Sequence, residues 1–167
     1  MERAVTWMSP VGVLCIVSDG SALLQLNFED TLVAAGLKVP EAQACGCAVL
    51  ESCIDQLREY FEGSRQVFDI PLNLKGTQFR NKVWEQLQKI GYGQTLKYGD
   101  IAKNIGSPAA HRAVGNANHN NPISIIVPCH RVIAAGGKLA GYGGGVWRKQ
   151  WLLDHEKNFL ARGIKSG

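Results

Sequence analysis

Between Gly76 and Thr77 the chain changes both its charge and its residue pattern, and this break limits the possible folds more than any other feature. Residues 1–76 hold five Lys/Arg against ten Asp/Glu, a balance of −5. Residues 77–167 hold thirteen against four, a balance of +9. A chain of 167 residues that is 46% apolar buries either one sizeable core or two small subdomains. The break selects two, an N-terminal subdomain over 1–76 and a C-terminal one over 77–167. The basic half points to a polyanionic partner, although a solvated basic surface accounts for charge alone equally well.

The acidic half reads as strands and turns followed by a helix. Val11 to Val17 and Leu23 to Phe28 are short apolar runs, and Ser18-Asp19-Gly20-Ser21 between them suits a hairpin turn. A small antiparallel sheet follows. From Ala42 to Phe61, apolar Val49, Leu50, Cys53, Ile54, Leu57, Tyr60 and Phe61 recur at helical spacing, with Glu51, Asp55, Arg58 and Glu59 off that stripe. Cys53 on the stripe and Cys15 in its apolar run read as small core residues, not nucleophiles. Gln66 to Leu74 reads as extended.

The basic half reads as mainly helical, which makes the whole an α/β (α+β) protein. Thr77 suits the N-cap of a helix that buries Phe79, Val83, Trp84, Leu87 and Ile90 and ends at Gly91. Tyr98 to Gly106 is a short helix closed by glycine. Ser107 as N-cap with Pro108 as first helical residue starts the next one. Two short helices joined through a glycine turn make a helix-turn-helix. The second helix carries Ala109, Ala110, Ala113, Gly115 and Ala117, too few long polar side chains to read base edges in a major groove. A close-fitting surface of this kind suits the minor groove and little sequence preference.

No signal peptide or membrane span is apparent, so a cytoplasmic protein is expected. The five cysteines are an odd number, and Cys45 and Cys47 form C-x-C, not C-x-x-C. The first histidine is His111, so a disulfide framework and a zinc site are both disfavoured.

The run Asn121 to Pro128 is apolar and β-branched, reads as a buried strand, and delivers Cys129 at its end, followed by His130 and Arg131. Histidine is the usual agent that makes a thiol nucleophilic. On a continuing strand, neighbouring side chains would diverge, so His130 would need a turn or a bridging water. Glu156 lies on a helix starting near Trp147, with Trp147, Trp151 and Leu152 as its buried side, and could orient the His130 ring. An isolated Cys-His pair, however, is more often an inert thiol beside a satisfied histidine.

Ile126-Val127-Pro128-Cys129-His130-Arg131-Val132-Ile133 resembles the active-site signature of the O6-alkylguanine-DNA alkyltransferases, or methylated-DNA-protein-cysteine methyltransferases. The resemblance runs without a gap from about Thr77 to Glu156. It passes through Tyr98-Gly99, Arg112-Ala113-Val114-Gly115, Asn121-Pro122, Tyr142 with its glycines, and Trp151-Leu152-Leu153. Residues 1–76 resemble the family only in arrangement.

The resemblance implies that Cys129 takes the alkyl group from guanine O6 irreversibly, in a single turnover. His130 would accept the thiol proton through a water, Glu156 would orient His130, and Asn121 would hold the active-site turn. The nucleotide would be flipped out of the duplex. Arg112 would fill the gap, and Tyr98 would crowd the rotating phosphate and protonate the leaving guanine. Val132, Tyr142, Gly143 and Gly144 would wall the base pocket. Ser107, Ala110, Ala113, Gly115 and Arg131 would join Arg112 at the DNA. Some relatives carry serine or alanine at the position of Gly143, so a side-chain contact to O6 there is in doubt.

Some relatives also hold a structural zinc in the N-terminal half, but residues 1–76 contain no histidine, so neither metal nor cofactor is expected. The expected partner is double-stranded DNA bound by a monomer, with O4-alkylthymine as a second possible lesion. Two other functions compete. A non-catalytic reader of alkylated guanine would lack the nucleophile. A cysteine hydrolase would leave the basic half and the helix pair unexplained.

Overall fold

The computed structural model describes residues 1–41, 46–139 and 141–163. Two compact units are present, one formed by residues 1–74 together with the end of the last helix from residue 158, the other by Lys75–Lys157.

In the first unit, β1 (Arg3–Ser9), β2 (Gly12–Ser18) and β3 (Leu23–Phe28) form an antiparallel sheet in that order. The two runs expected as strands are β2 and β3. The Asp19 carboxylate closes the turn between them by accepting from the Ser21 and Ala22 amides at 2.8 and 2.9 Å. The sequence reading missed β1. Its outward Met8 is 68% exposed while Ser9 is buried, so hydropathy does not follow its pleat. A short helix, α1 (Glu29–Ala34), was also missed.

Helix α2 (Ala48–Glu62) buries Leu50, Cys53, Leu57 and Tyr60, as its periodicity requires. The first four residues of the expected helix, 42–45, lie outside the described residues. Gly63 caps α2 at φ 86°. A Cβ there would collide with the Phe159 ring, so glycine also permits the last turns of the final helix to pack in this unit. Of residues 66–74, expected as extended, 66 and 67 form a bend, and Leu72 bridges to Leu23 in parallel.

The second unit begins with α3 (Gln78–Gln88). The Thr77 hydroxyl accepts from the Arg80 amide at 3.1 Å, the N-cap that the sequence predicts. Val83, Trp84, Leu87 and Ile90 are buried, and Phe79 is half-buried. The Trp84 indole donates to the Ala117 carbonyl at 2.9 Å, satisfying a buried polar atom and tying α3 to the helix that carries Ala117.

The segment Leu96–Lys97 (β4) leads directly into α4 (Tyr98–Asn104), where the Asp100 carboxylate accepts from the Lys97 amide at 3.0 Å. The next helix, α5, runs His111–His119. The expected start at Ser107-Pro108 is incorrect. The Ala110 amide bonds to the Ser107 carbonyl at 2.9 Å, so Ser-Pro forms a turn and the helix begins after Ala110. Proline's fixed φ suits the second position of such a turn as well as it suits a first helical turn. The helix pair itself is present and α4 packs on α5.

β5 (Val132–Ile133) pairs in parallel with β4, and α6 (Val146–Ala161) closes the chain. Trp147 is 56% exposed, against expectation. The face that α6 buries consists of Arg148, Lys149, Leu152, His155 and Glu156.

Candidate active site

The segment before Cys129 is a series of turns, not the expected strand. The Asn121 side chain organises it, donating to the Val127 carbonyl at 2.7 Å and accepting from the Ile123 amide at 3.0 Å. The Val127 amide returns to the Ile123 carbonyl at 3.1 Å. Ile125 is held at φ 71°, a conformation that β-branched residues rarely adopt. Backbone groups of this segment therefore bond largely within the loop and to one asparagine, and a bridge at Ile123 stands in place of a strand's ladder. Ile123, Ile125 and Val127 are nonetheless buried, as the run's composition requires.

The turns end in a single 3₁₀ turn, Cys129–Arg131, with all three residues buried. This turn gives Cys129 and His130 the change of direction that a strand would not allow. Asn118, from α5, donates to the Cys129 carbonyl at 3.3 Å. His130 Nε2 lies 2.6 Å from Glu156 Oε2, and both side chains are fully buried. Glu156 also accepts from Arg131 Nε at 2.8 Å, Arg131 Nη2 at 3.1 Å and the Gly93 amide at 3.1 Å. Arg131 donates its remaining arm to the Ile90 carbonyl at 2.7 Å.

Arg131 is therefore not at a DNA-facing surface. It is buried, and its guanidinium is committed to the carboxylate that holds His130, a bidentate geometry suited to arginine. Position next to His130 was the only hint of this in the sequence.

These contacts set the protonation states. The neighbouring His130 and Arg131 hold the Glu156 carboxyl far below the usual carboxylate range, although burial pushes the other way. Glu156 is thus ionised and accepts the proton on His130 Nε2. In the neutral ring Nδ1 then carries the free lone pair, and this buried atom has no hydrogen-bond partner among the described residues. Burial lowers the pKa of His130, with Glu156 opposing, so the imidazole rests neutral. Burial raises the Cys129 thiol. A hydrogen bond from Asn121, the charge of Lys149 and a hydrogen bond with Tyr142 act in the opposite direction.

Tyr142 is buried, with its phenol raised well above the ordinary value, first by burial and then by Cys129. Tyr98, at the start of α4, is raised first by burial and then by Cys129. Its ring lies beside Gly115, where a Cβ would sit 3.9 Å away, and its hydroxyl lies near Gly141. Val132 and Gly144 are buried and Gly143 is half-buried. A Cβ on Gly143 would meet the His119 carbonyl at 3.4 Å, an ordinary contact, so a small side chain fits there. On the helix pair, Arg112 and Ala113 are exposed, and Ser107, Ala110 and Gly115 are half-buried. The sequence reading missed Asn118, Lys149 and the carbonyl of Ile90. Lys149 lies between Trp147 and Trp151, which the sequence reading took for the buried side of this helix.

Among the described residues no cluster of histidine, cysteine, aspartate or glutamate could hold a metal ion, and no helix is long and apolar enough to cross a membrane. Cys15, Cys47, Cys53 and Cys129 are free thiols.

Residues 78–158 match the DNA-binding domain of 6-O-methylguanine DNA methyltransferase, and residues 3–74 match the ribonuclease-like domain of the same family. A methylated-DNA–protein-cysteine methyltransferase of Mycobacterium bovis is 49% identical over 152 residues, covering 90% of this chain and 89% of that protein. One of Methanosarcina acetivorans is 45% identical over 148 residues, covering 89% and 94%. The crystal structure of Mycobacterium tuberculosis O6-methylguanine methyltransferase superimposes with a TM-score of 0.82 at 45% identity, covering 95% and 94% of the two chains. A structure of Mycobacterium tuberculosis OGT in complex with DNA gives 0.82 at 46% identity, covering 95% and 93%. With its cysteine, histidine and glutamate assembled in a unit that also carries the helix pair, and with relatives matching along nearly its whole length, this chain belongs to the O6-methylguanine DNA methyltransferase family.

Proposed function

We propose that this chain repairs DNA by direct reversal, moving the alkyl group of O6-alkylguanine irreversibly onto Cys129. The observation that carries this reading is the buried arrangement itself, with Cys129 and His130 on one 3₁₀ turn and His130 Nε2 2.6 Å from Glu156 Oε2. A thiol raised by burial is not a standing thiolate; it loses its proton as it attacks. His130 Nδ1 takes that proton through a bridging water, and the buried carboxylate stabilises the imidazolium that results. Cys129 Sγ bonds to the alkyl carbon as the carbon–O6 bond breaks, and the electron pair leaves with guanine. Tyr98 supplies the proton that neutralises guanine. The thioether is stable, so each molecule acts once.

Residues 77–167 are the DNA-binding and alkyl-acceptor domain in this reading, and residues 1–76 an N-terminal α/β subdomain. A monomer binds double-stranded DNA through the minor groove with little sequence preference. Exposed Arg112 and Ala113, beside half-buried Ala110 and Gly115, fit that mode, and the relative crystallised with DNA supports DNA binding as such. Arg112 fills the stack when the base is flipped, and Tyr142, Val132, Gly143 and Gly144 wall its pocket. O4-alkylthymine is a second lesion to test. A reduced acceptor thiol fits a cytoplasmic setting.

The test is transfer of radiolabelled methyl from an O6-methylguanine duplex to the protein. One label per protein molecule is expected, and none with Cys129→Ala. Methyl release without labelling of the protein would overturn the proposal. Arg112→Ala is expected to slow transfer from duplex DNA by more than tenfold while leaving reaction with the free alkylated base nearly unchanged; equal losses would remove its gap-filling role.

A further inference from the structure

Arg131 and Glu156 are gripped by one short segment, residues 90–93, which joins α3 to β4 and takes no part in the relay of Cys129, His130 and Glu156. The Gln94 amide bonds to the Gly91 carbonyl at 3.0 Å and Gly93 stands at φ 75°. Residues 91–94 are thus a tight turn with glycine at its third position, where the left-handed conformation favours that residue. The turn brings the Gly93 amide to Glu156 Oε1 at 3.1 Å. Just before it, the Ile90 carbonyl accepts from Arg131 Nη1 at 2.7 Å. Tyr92, between these two contacts in the chain, sets its ring against the same pair. The guanidinium carbon of Arg131 lies 5.8 Å from the centroid of this half-buried ring, within reach of its negative face.

We propose that Tyr92 is a positioning residue for alkyl transfer, whose ring covers the Arg131 guanidinium and keeps it on the carboxylate that orients His130. This rests on the alkyl-transfer reading above. A guanidinium can spend its charge on a carboxylate or on water, and an aromatic face over it closes the second route while still attracting the cation. The consequence reaches His130, which faces the charges of Glu156, Arg131 and Lys149. Glu156 favours the imidazolium and Arg131 opposes it, so an Arg131 that strays from the carboxylate leaves His130 more basic. A more basic His130 is already protonated in a larger share of the molecules, and those cannot take the thiol proton. Tyr92 itself stays neutral, its phenol pushed up to about 12 first by burial and then by Glu156, with Arg131 opposing. It carries no proton in the step; the face of its ring is the part that acts.

The experiment follows single-turnover methylation of Cys129 by an O6-methylguanine duplex across pH in the full-length protein, and the exchange of the Arg131 Nε proton with solvent by NMR. In Tyr92→Leu the acid-side midpoint of the rate profile is expected to rise by about half a pH unit, which slows transfer roughly threefold on that limb and leaves the plateau above it unchanged. The Arg131 proton should exchange faster in the same variant. Tyr92→Phe keeps the ring and should keep both wild-type values. Lost packing alone would lower stability without moving the midpoint. A wild-type midpoint in Tyr92→Leu overturns the proposal, whatever the absolute rate, and so does an equal shift in Tyr92→Phe. If Tyr92→Leu does not fold, Tyr92→Met decides by the same criteria. If wild-type protein takes up no methyl, the alkyl-transfer reading itself fails, and exchange of the Arg131 proton alone decides whether the ring covers the pair.

Discussion

Helices α2 and α6 each present one buried face, and the two faces have opposite chemistry. That of α2 is a small-domain core, with Leu50, Cys53, Leu57 and Tyr60 around a cysteine that burial alone pushes up to about 12. That of α6 carries Arg148, Lys149, His155 and Glu156 about a single leucine, and the cysteine served by that face has groups opposing the effect of burial. Both thiols are buried, so burial does not separate an inert cysteine from a reactive one. What separates them is the set of charges and hydrogen bonds brought to the sulfur.

The largest effect should come from breaking the α6 side. Glu156→Gln leaves Arg131 buried without its carboxylate and is expected to cost about 3–5 kcal/mol of stability, with transfer falling at least a hundredfold. Calorimetry and single-turnover kinetics would measure both. The acid limb gives a sharper test. The folded-state pKa of Glu156 lies below its ordinary value of 4.5, so its contribution is fully present above that pH and is lost as pH falls below it. Stability measured below about pH 4.5 should therefore decline less steeply in Glu156→Gln than in the wild type.

Asn121→Ala should come next. It leaves the Ile123 amide without its acceptor in a buried loop, at about 1–3 kcal/mol, removes one of the two bonds to the Val127 carbonyl, which keeps that from the Cys129 amide, and frees the strained turn at Ile125. Slower transfer with faster amide exchange over residues 121–129 is the expected outcome. The smallest effect belongs to α2. Cys53→Ser should cost about 1 kcal/mol, because a helical serine bonds back to its own backbone, and the rate of transfer should stay at the wild-type value. A rate loss there comparable to that of Asn121→Ala would erase the contrast between the two faces.

The same contrast explains what the sequence reveals. The α2 stripe is legible because its apolar residues recur at helical spacing and water is excluded along them. The Thr77 cap and the positions of Cys129, His130 and Glu156 are legible for related reasons, since their residue types state their chemistry. The buried side of α6 is not legible. Trp147 looks like core, yet it is exposed, and Lys149, of a type usually found at the surface, is buried. Arg131 misleads in the same way, as a basic residue in a basic half. The start of α5 was misplaced because Ser-Pro serves both a turn and a helix cap, and only tertiary packing decides between them.

The most direct test is to expose the folded protein to an O6-methylguanine duplex and map methylation over its cysteine-containing peptides by mass spectrometry. The account predicts one added methylene on the peptide bearing Cys129 and none on those bearing Cys15, Cys47 or Cys53. Methylation spread over several cysteines, or repair of the duplex with Cys129 unmodified, would contradict it.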